Sequence, residues 1–187
     1  MVISINELKN GLTIELNGAP YVIISADHIK PGKGAAFTRV KIKNLKTGAV
    51  LERTYRANDK IQEAYIDEKK LQFLYSQDDI FYFMDNDTFE EVHIEKDSFD
   101  GEEKFLKDNL DVSGYFYQEK LVKINLPNFI VFEIKTTEPG IKGDTAKSAT
   151  KPAEIETGAI INVPLFINQG DKIKVDTRTA SYIERSY

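Results

Sequence analysis

Apolar and polar residues alternate along this chain in short runs broken by turn signals, and helical periodicity is scarce. Such runs predict small antiparallel β units. "LTIELNGAPYVIISA" reads as two strands joined at Asn17-Gly18, the dipeptide most specific for a two-residue hairpin. Pro20 falls near the start of the second strand, where a missing donor is tolerated. "FTRVKIK" follows as a strand and passes through "NLKTG" into "AVLERTY". Together these segments predict a compact barrel over residues 1–63, closing at "RANDKIQEA".

A second unit is expected over residues 64–127. "KKLQFLYS", "IFYFMD" and "FEEVHI" form a meander split by "QDD" and "ND". "DGEEKFLKDN" is the one predicted helix, with Asp100 as N-cap and acids in its first turn. "DVSGYFYQ" and "KLVKINLP" return as strands, so that five strands with one inserted helix fit an OB-like barrel. Pro127-Asn128 marks the next boundary, and residues 128–187 give a third β unit from "FIVFEIKTTE", "AIINVPLFI", "DKIKVDT" and "ASYIERS", with "EPGIKGDTAKSATKP" as a loop. No fixed-period repeat is present. The reading is all-β: three small barrels in series, each roughly 25 Å across and on the order of 75 Å end to end.

Composition narrows the chemistry. The 187 residues include no cysteine, which excludes a disulfide framework, a thiol nucleophile and a zinc–thiolate site. No apolar run reaches the length of a membrane span, and Met1 to Gly18 lacks the pattern of a signal peptide, so a cytoplasmic location is expected. The net charge of −5 is unevenly spread. Residues 1–63 hold ten Lys+Arg and six Asp+Glu, residues 64–127 hold seven and sixteen, and residues 128–187 hold eight of each. The acidic middle reads as a solvated, self-repelling surface.

One stretch stands out against this background. In "HIKPGKGAAF", Pro31 restricts Lys30 to extended conformations while Gly32 and Gly34 can take positive φ, which holds Lys33 out with no bulky neighbour. Pairing Tyr21–Asp27 with Phe37–Lys43 sets this nine-residue loop, His28 to Ala36, at the end of arms about 23 Å long. On the outgoing strand Arg39, Lys41 and Lys43 share one face, and Thr38, Val40 and Ile42 share the other. Between His28 and Leu51 there are six Lys/Arg and no acid. Two readings are open: an electrostatic footprint for phosphate, or the solvated outer face of an antiparallel sheet. The glycine spacing fits neither a P-loop nor a dinucleotide fingerprint.

Catalytic signals are weak. His28 and His93 are the only histidines, too few for a converging metal site. His28 either orients the loop base by a hydrogen bond or is a plain turn residue, and His93 is expected on a barrel surface. The acid clusters in "SQDD", "DND" and "FEE" read as turn formers. Phe81, Tyr82, Tyr115 and Tyr117 are expected in barrel cores and flanks, although OB faces can also stack bases on such rings.

At the loop the sequence resembles bacterial elongation factor P. "KPGKGAAF", "NLKTGAV" and "TYRANDK" match that family's first domain, "YFMDNDTFEE" resembles its second, and "TEPGIKGDTA" and "GAIINVPLFINQGDKIKVDTRTASY" resemble its third. The resemblance spans nearly the whole chain in order. It implies an SH3-like (KOW) domain followed by two OB domains in a tRNA-like shape. It also implies a non-enzymatic, monomeric factor that enters the ribosome beside peptidyl-tRNA and relieves stalling at consecutive prolines, with no cofactor and no metal. The family's tip lysine, commonly extended by a modifying enzyme, falls on Lys33. Gly32 and Gly34 form its bend, Lys30 and Arg39 would lie near the tRNA acceptor end, and Lys41 extends the cationic face. Gly143, Asp144 and Thr145 match the loop facing the small subunit and exit-site codon. A paralogue serving other stall sequences, or a general OB-type RNA-binding protein, is the alternative.

Overall fold

Turn chemistry and alternation produce three curved antiparallel sheets in a computed structural model that describes residues 1–99, 101–139 and 150–186. The first sheet contains β1 (Val2–Ile3), β2 (Thr13–Leu16), β3 (Ala19–Ile29), β4 (Phe37–Asn44), β5 (Val50–Arg56) and β6 (Ile61–Glu63), in the order β1-β6-β2-β3-β4-β5. Asn17 and Gly18 take φ of 53° and 78° in the β2–β3 turn, the left-handed pair that a tight hairpin needs. Ile14, Ile23, Val40 and Ile42 fill its core with at most 1% exposure.

The second sheet is β7 (Asp67–Gln77), β8 (Ile80–Asp85), β9 (Glu91–Glu95), β10 (Asp111–Tyr117) and β11 (Lys120–Asn125), ordered β11-β10-β7-β8-β9. Its two edges, β9 and β11, curl round to meet. The third is β12 (Phe129–Thr137), β13 (Thr150–Ile155), β14 (Ile160–Pro164), β15 (Lys172–Asp176) and β16 (Ser181–Ser186), ordered β14-β13-β12-β15-β16. The chain is thus all-β with three barrel-like units in series.

Two expectations change. The helix over 100–109 is absent where the structure describes it: a 3-10 turn, Glu103–Phe105, takes its place, and Asp100 lies outside the described residues. Phe105 and Leu106 are both buried, and the backbone is already extended at Leu106, the residue that ends the turn. The second change is β13, which begins inside the segment expected to be loop and contains Pro152. Pro152 lies just past the paired stretch of β12, which ends at Thr137↔Ala153, so no β12 acceptor goes without a donor there. Its carbonyl accepts from Thr137 Oγ1 at 3.0 Å.

The cores differ in continuity. The second and third sheets share one apolar cluster, running from Leu71 and Phe83 through Phe105 and Phe132 (5.9 Å between ring centres) to Ile173 and Val175. Thr157 Oγ1 donates to the Lys104 carbonyl at 2.6 Å, and Lys107 Nζ reaches the Val131 carbonyl at 2.7 Å and Glu156 at 3.2 Å. The first sheet has a separate core. It meets the second through a small seam of Ala64, Tyr117 and Val122, through Thr13 Oγ1 to the Ala64 carbonyl (2.6 Å), and through the Tyr117 hydroxyl donating to Glu15 at 2.5 Å.

Candidate functional site

The β3–β4 hairpin is longer than the sequence pattern predicts. Pairing continues through Asp27↔Arg39 and His28↔Thr38 to Ile29↔Phe37, which moves His28 from the loop into the strand and leaves seven loop residues, Lys30 to Ala36. The half-buried pair Ile29–Phe37 forms an apolar clasp beneath the loop. A bulge at Ile24, 42% exposed, inserts an extra residue and bends the stalk.

Lys30, Gly32, Lys33 and Gly34 all lie in the exposed loop, with Lys33 at its centre. Of the two flanking glycines only Gly34 takes a left-handed φ, at 119°; Gly32 does not. Lys30 and Lys33 make no hydrogen bond or ion pair among the described residues. The tip therefore presents an uncommitted ammonium group.

Below it, the alternation on β4 holds: Thr38, Val40 and Ile42 are buried, while Arg39 and Lys41 face outward. The face is less purely basic than the strand alone suggests. Neighbouring strands place Asp27 opposite Arg39 and Glu52 opposite Lys41, with Lys41 Nζ 3.9 Å from the Glu52 carboxylate. The loop and Arg39 form the cationic end, and Lys41 sits farther down, partly neutralised. Gly143, Asp144 and Thr145 lie outside the described residues.

At the stalk base His28 does hydrogen-bond, as one of its two sequence readings holds, within a polar network whose partners the sequence does not name. His28 Nδ1 lies 2.9 Å from Thr38 Oγ1, His28 Nε2 lies 3.0 Å from the Leu8 carbonyl, and Thr38 Oγ1 lies 3.2 Å from the Ile5 carbonyl. The available signal is Thr38 itself, a hydroxyl at an inward position among aliphatics, which needs a partner when buried. His93 faces outward on β9, its ring 5.9 Å from Tyr82, which stacks on Tyr75 at 4.6 Å. Phe81 is core, Tyr115 is half-buried, and Tyr117 belongs to the seam.

Comparison with known proteins decides what this arrangement is. The elongation factor P KOW-like domain matches residues 4–61, the elongation factor P OB domain residues 66–124, and the elongation factor P C-terminal domain residues 130–185. The chain belongs to the elongation factor P family. Elongation factor P of Coprothermobacter proteolyticus is 48% identical over 184 residues, covering 98% of this chain and 99% of that protein. Elongation factor P of Acetivibrio thermocellus is 49% identical over 184 residues, with 98% and 100% covered. Among solved structures, eukaryotic translation initiation factor 5A from Methanococcus jannaschii superposes with a TM-score of 0.57 at 25% identity, covering 67% of this chain and 92% of that one. An eIF-5A family protein from Naegleria fowleri shares the fold at 16% identity and a TM-score of 0.53, covering 67% of this chain and 98% of that one. Membership of the elongation factor P family makes this chain a translation elongation factor.

Proposed function

We propose that the protein binds the ribosome beside peptidyl-tRNA and promotes peptide-bond formation at consecutive prolines, with Lys33 positioning the tRNA acceptor end. The observation that carries this reading is an exposed, uncommitted lysine at the tip of a paired stalk whose outer face bears Arg39. Proline's ring restricts the nascent chain and holds its reactive end out of line. Correct placement of reacting groups is worth about 7–11 kcal/mol, so misplacement stalls the reaction. A lysine suits the task as a compact charge with three donors on a flexible stem. Bond chemistry stays with the ribosome, and the protein supplies position and charge.

In this reading residues 1–63 form the tip-bearing domain, residues 64–127 the central OB domain and residues 128–187 the C-terminal OB domain. Lys30, Gly32, Gly34, Arg39 and Lys41 line the tRNA contact around Lys33, and Gly143, Asp144 and Thr145 face the small subunit and exit-site codon. The factor works as a monomer in the cytoplasm, and a modifying enzyme extends Lys33. The net +4 of the first segment supports an RNA-facing role for that end of the chain.

The test is synthesis of a tri-proline reporter in a reconstituted system. The parent protein is expected to relieve the stall and Lys33→Ala to lose the effect; equal synthesis by Lys33→Ala would overturn the assignment. An added mass on the Lys33 peptide from the native host would identify the modification.

A further inference from the structure

We propose that His28 is a positioning residue that sets the aim of the Lys33 finger. The inference rests on the reading above for its function, but its geometry belongs to the protein alone. β4 is flanked along the stalk by β3 and β5, with pairing to β5 reaching Phe37↔Arg56. β3 is not. Its pairing with β2 ends at Thr13↔Val22, and the last backbone bonds on that side are at Ile23, to Gly11 and Leu12. Among the described residues, Ser25 to Ile29 therefore run as an edge strand on that side, just beyond the Ile24 bulge.

His28 spans this open side. Its ring joins three segments distant in sequence: its own strand, Thr38 on β4, and the Leu8 carbonyl that follows the 3-10 turn Ile5–Glu7. A carbonyl only accepts, so Nε2 carries a proton and donates to Leu8. In a neutral ring Nδ1 then accepts the Thr38 hydroxyl proton. In a charged ring Nδ1 donates instead, and Thr38 turns its proton to the Ile5 carbonyl. The bracket closes in either state.

The turn that His28 grips is itself fixed. Leu8 is fully buried and Ile5 nearly so, while the Glu7 carboxylate accepts from the Ser4 amide at 2.7 Å and the Ser4 hydroxyl at 2.8 Å. Lys33 lies five residues beyond His28, at most about 16 Å along an extended chain. A swing of about 10° at the base would move that tip by roughly 3 Å, and a misplacement of about 1 Å can cost a hundredfold in rate. Removing the imidazole leaves the edge strand able to swing; an amide of similar reach restores the link to Leu8.

The chain has no cysteine, so two introduced ones can carry spin labels without background. With labels at Lys33→Cys and Lys60→Cys, the distance distribution is expected to broaden in His28→Ala and to narrow again in His28→Gln. An unchanged width in His28→Ala would overturn the proposal whatever the protein does on the ribosome. In the tri-proline assay, His28→Ala is expected to lower the maximal rate at saturating factor by about tenfold or more, with His28→Gln recovering most of it. If Lys33→Ala is inactive while His28→Ala matches the parent, the positioning role is wrong and the Lys33 reading stands. If Lys33→Ala is fully active while the distance effect appears, the bracket is real and the Lys33 reading fails.

Discussion

Gly34 and Gly32 flank the same lysine, yet the backbone treats them differently. Gly34 holds φ at 119°, where a side chain is strained, and a Cβ there would meet Pro31 Cγ at 3.7 Å; a Cβ on Gly32 meets nothing within 4 Å. Gly34→Ala should therefore oppose the tip conformation by about 1–3 kcal/mol, while Gly32→Ala should be close to neutral. The expected outcome is a marked loss of tri-proline synthesis for Gly34→Ala alone, with unfolding midpoints of both variants near that of the parent. Equal losses would mean that the loop does not use this backbone conformation on the ribosome. The sequence shows two glycines able to bend but not which one does so, since either can take positive φ without steric cost.

At the level of elements, strand alternation is the most readable signal. Burial of Thr38, Val40 and Ile42 opposite Arg39 and Lys41 follows from period two alone. What alternation along one strand does not show is what lies beside it, and there Asp27 and Glu52 temper the basic face. Arg39→Gln should accordingly lower the slope of log affinity for ribosomes against log salt by about one, and Lys41→Gln by less, because Glu52 already offsets its charge. Equal slope changes measured by salt titration would place Lys41 in the contact as fully as Arg39. The expected helix fails because acids after a good N-cap residue resemble a first turn, yet the backbone becomes extended at Leu106 and closes the turn after Phe105. The His28 bracket is legible only in part: a histidine at the loop base is visible, but its Leu8 partner, twenty residues earlier, follows from tertiary packing.

Across the whole molecule, the contrast between a shared core and a narrow seam organises the behaviour. At the seam, burial first and then the bond to Glu15 push the Tyr117 phenol up to about 12, from an ordinary value of 10.0. The folded protein thus holds this proton more tightly than the unfolded chain. Its contribution to stability is complete below pH 10 and is lost as pH rises toward about 12. Tyr117→Phe should be less stable than the parent at neutral pH, and the gap should shrink through that alkaline window in urea unfolding. A gap that stays constant with pH would show that the phenol proton plays no part at the joint. The order of three β units is readable from turn signals, but the fusion of two cores is not, because nothing in the local pattern of Phe105 or Phe132 states which sheet each will face.

The ring pair Phe105–Phe132 welds the second and third units, with Leu71 and Phe83 on one side of it and Ile173 and Val175 on the other. Relative movement of these two units would have to open that common apolar cluster to water, at a cost that grows with the apolar area exposed. The first unit touches the second through the much smaller patch at Ala64, Tyr117 and Val122, so bending between units is expected there first.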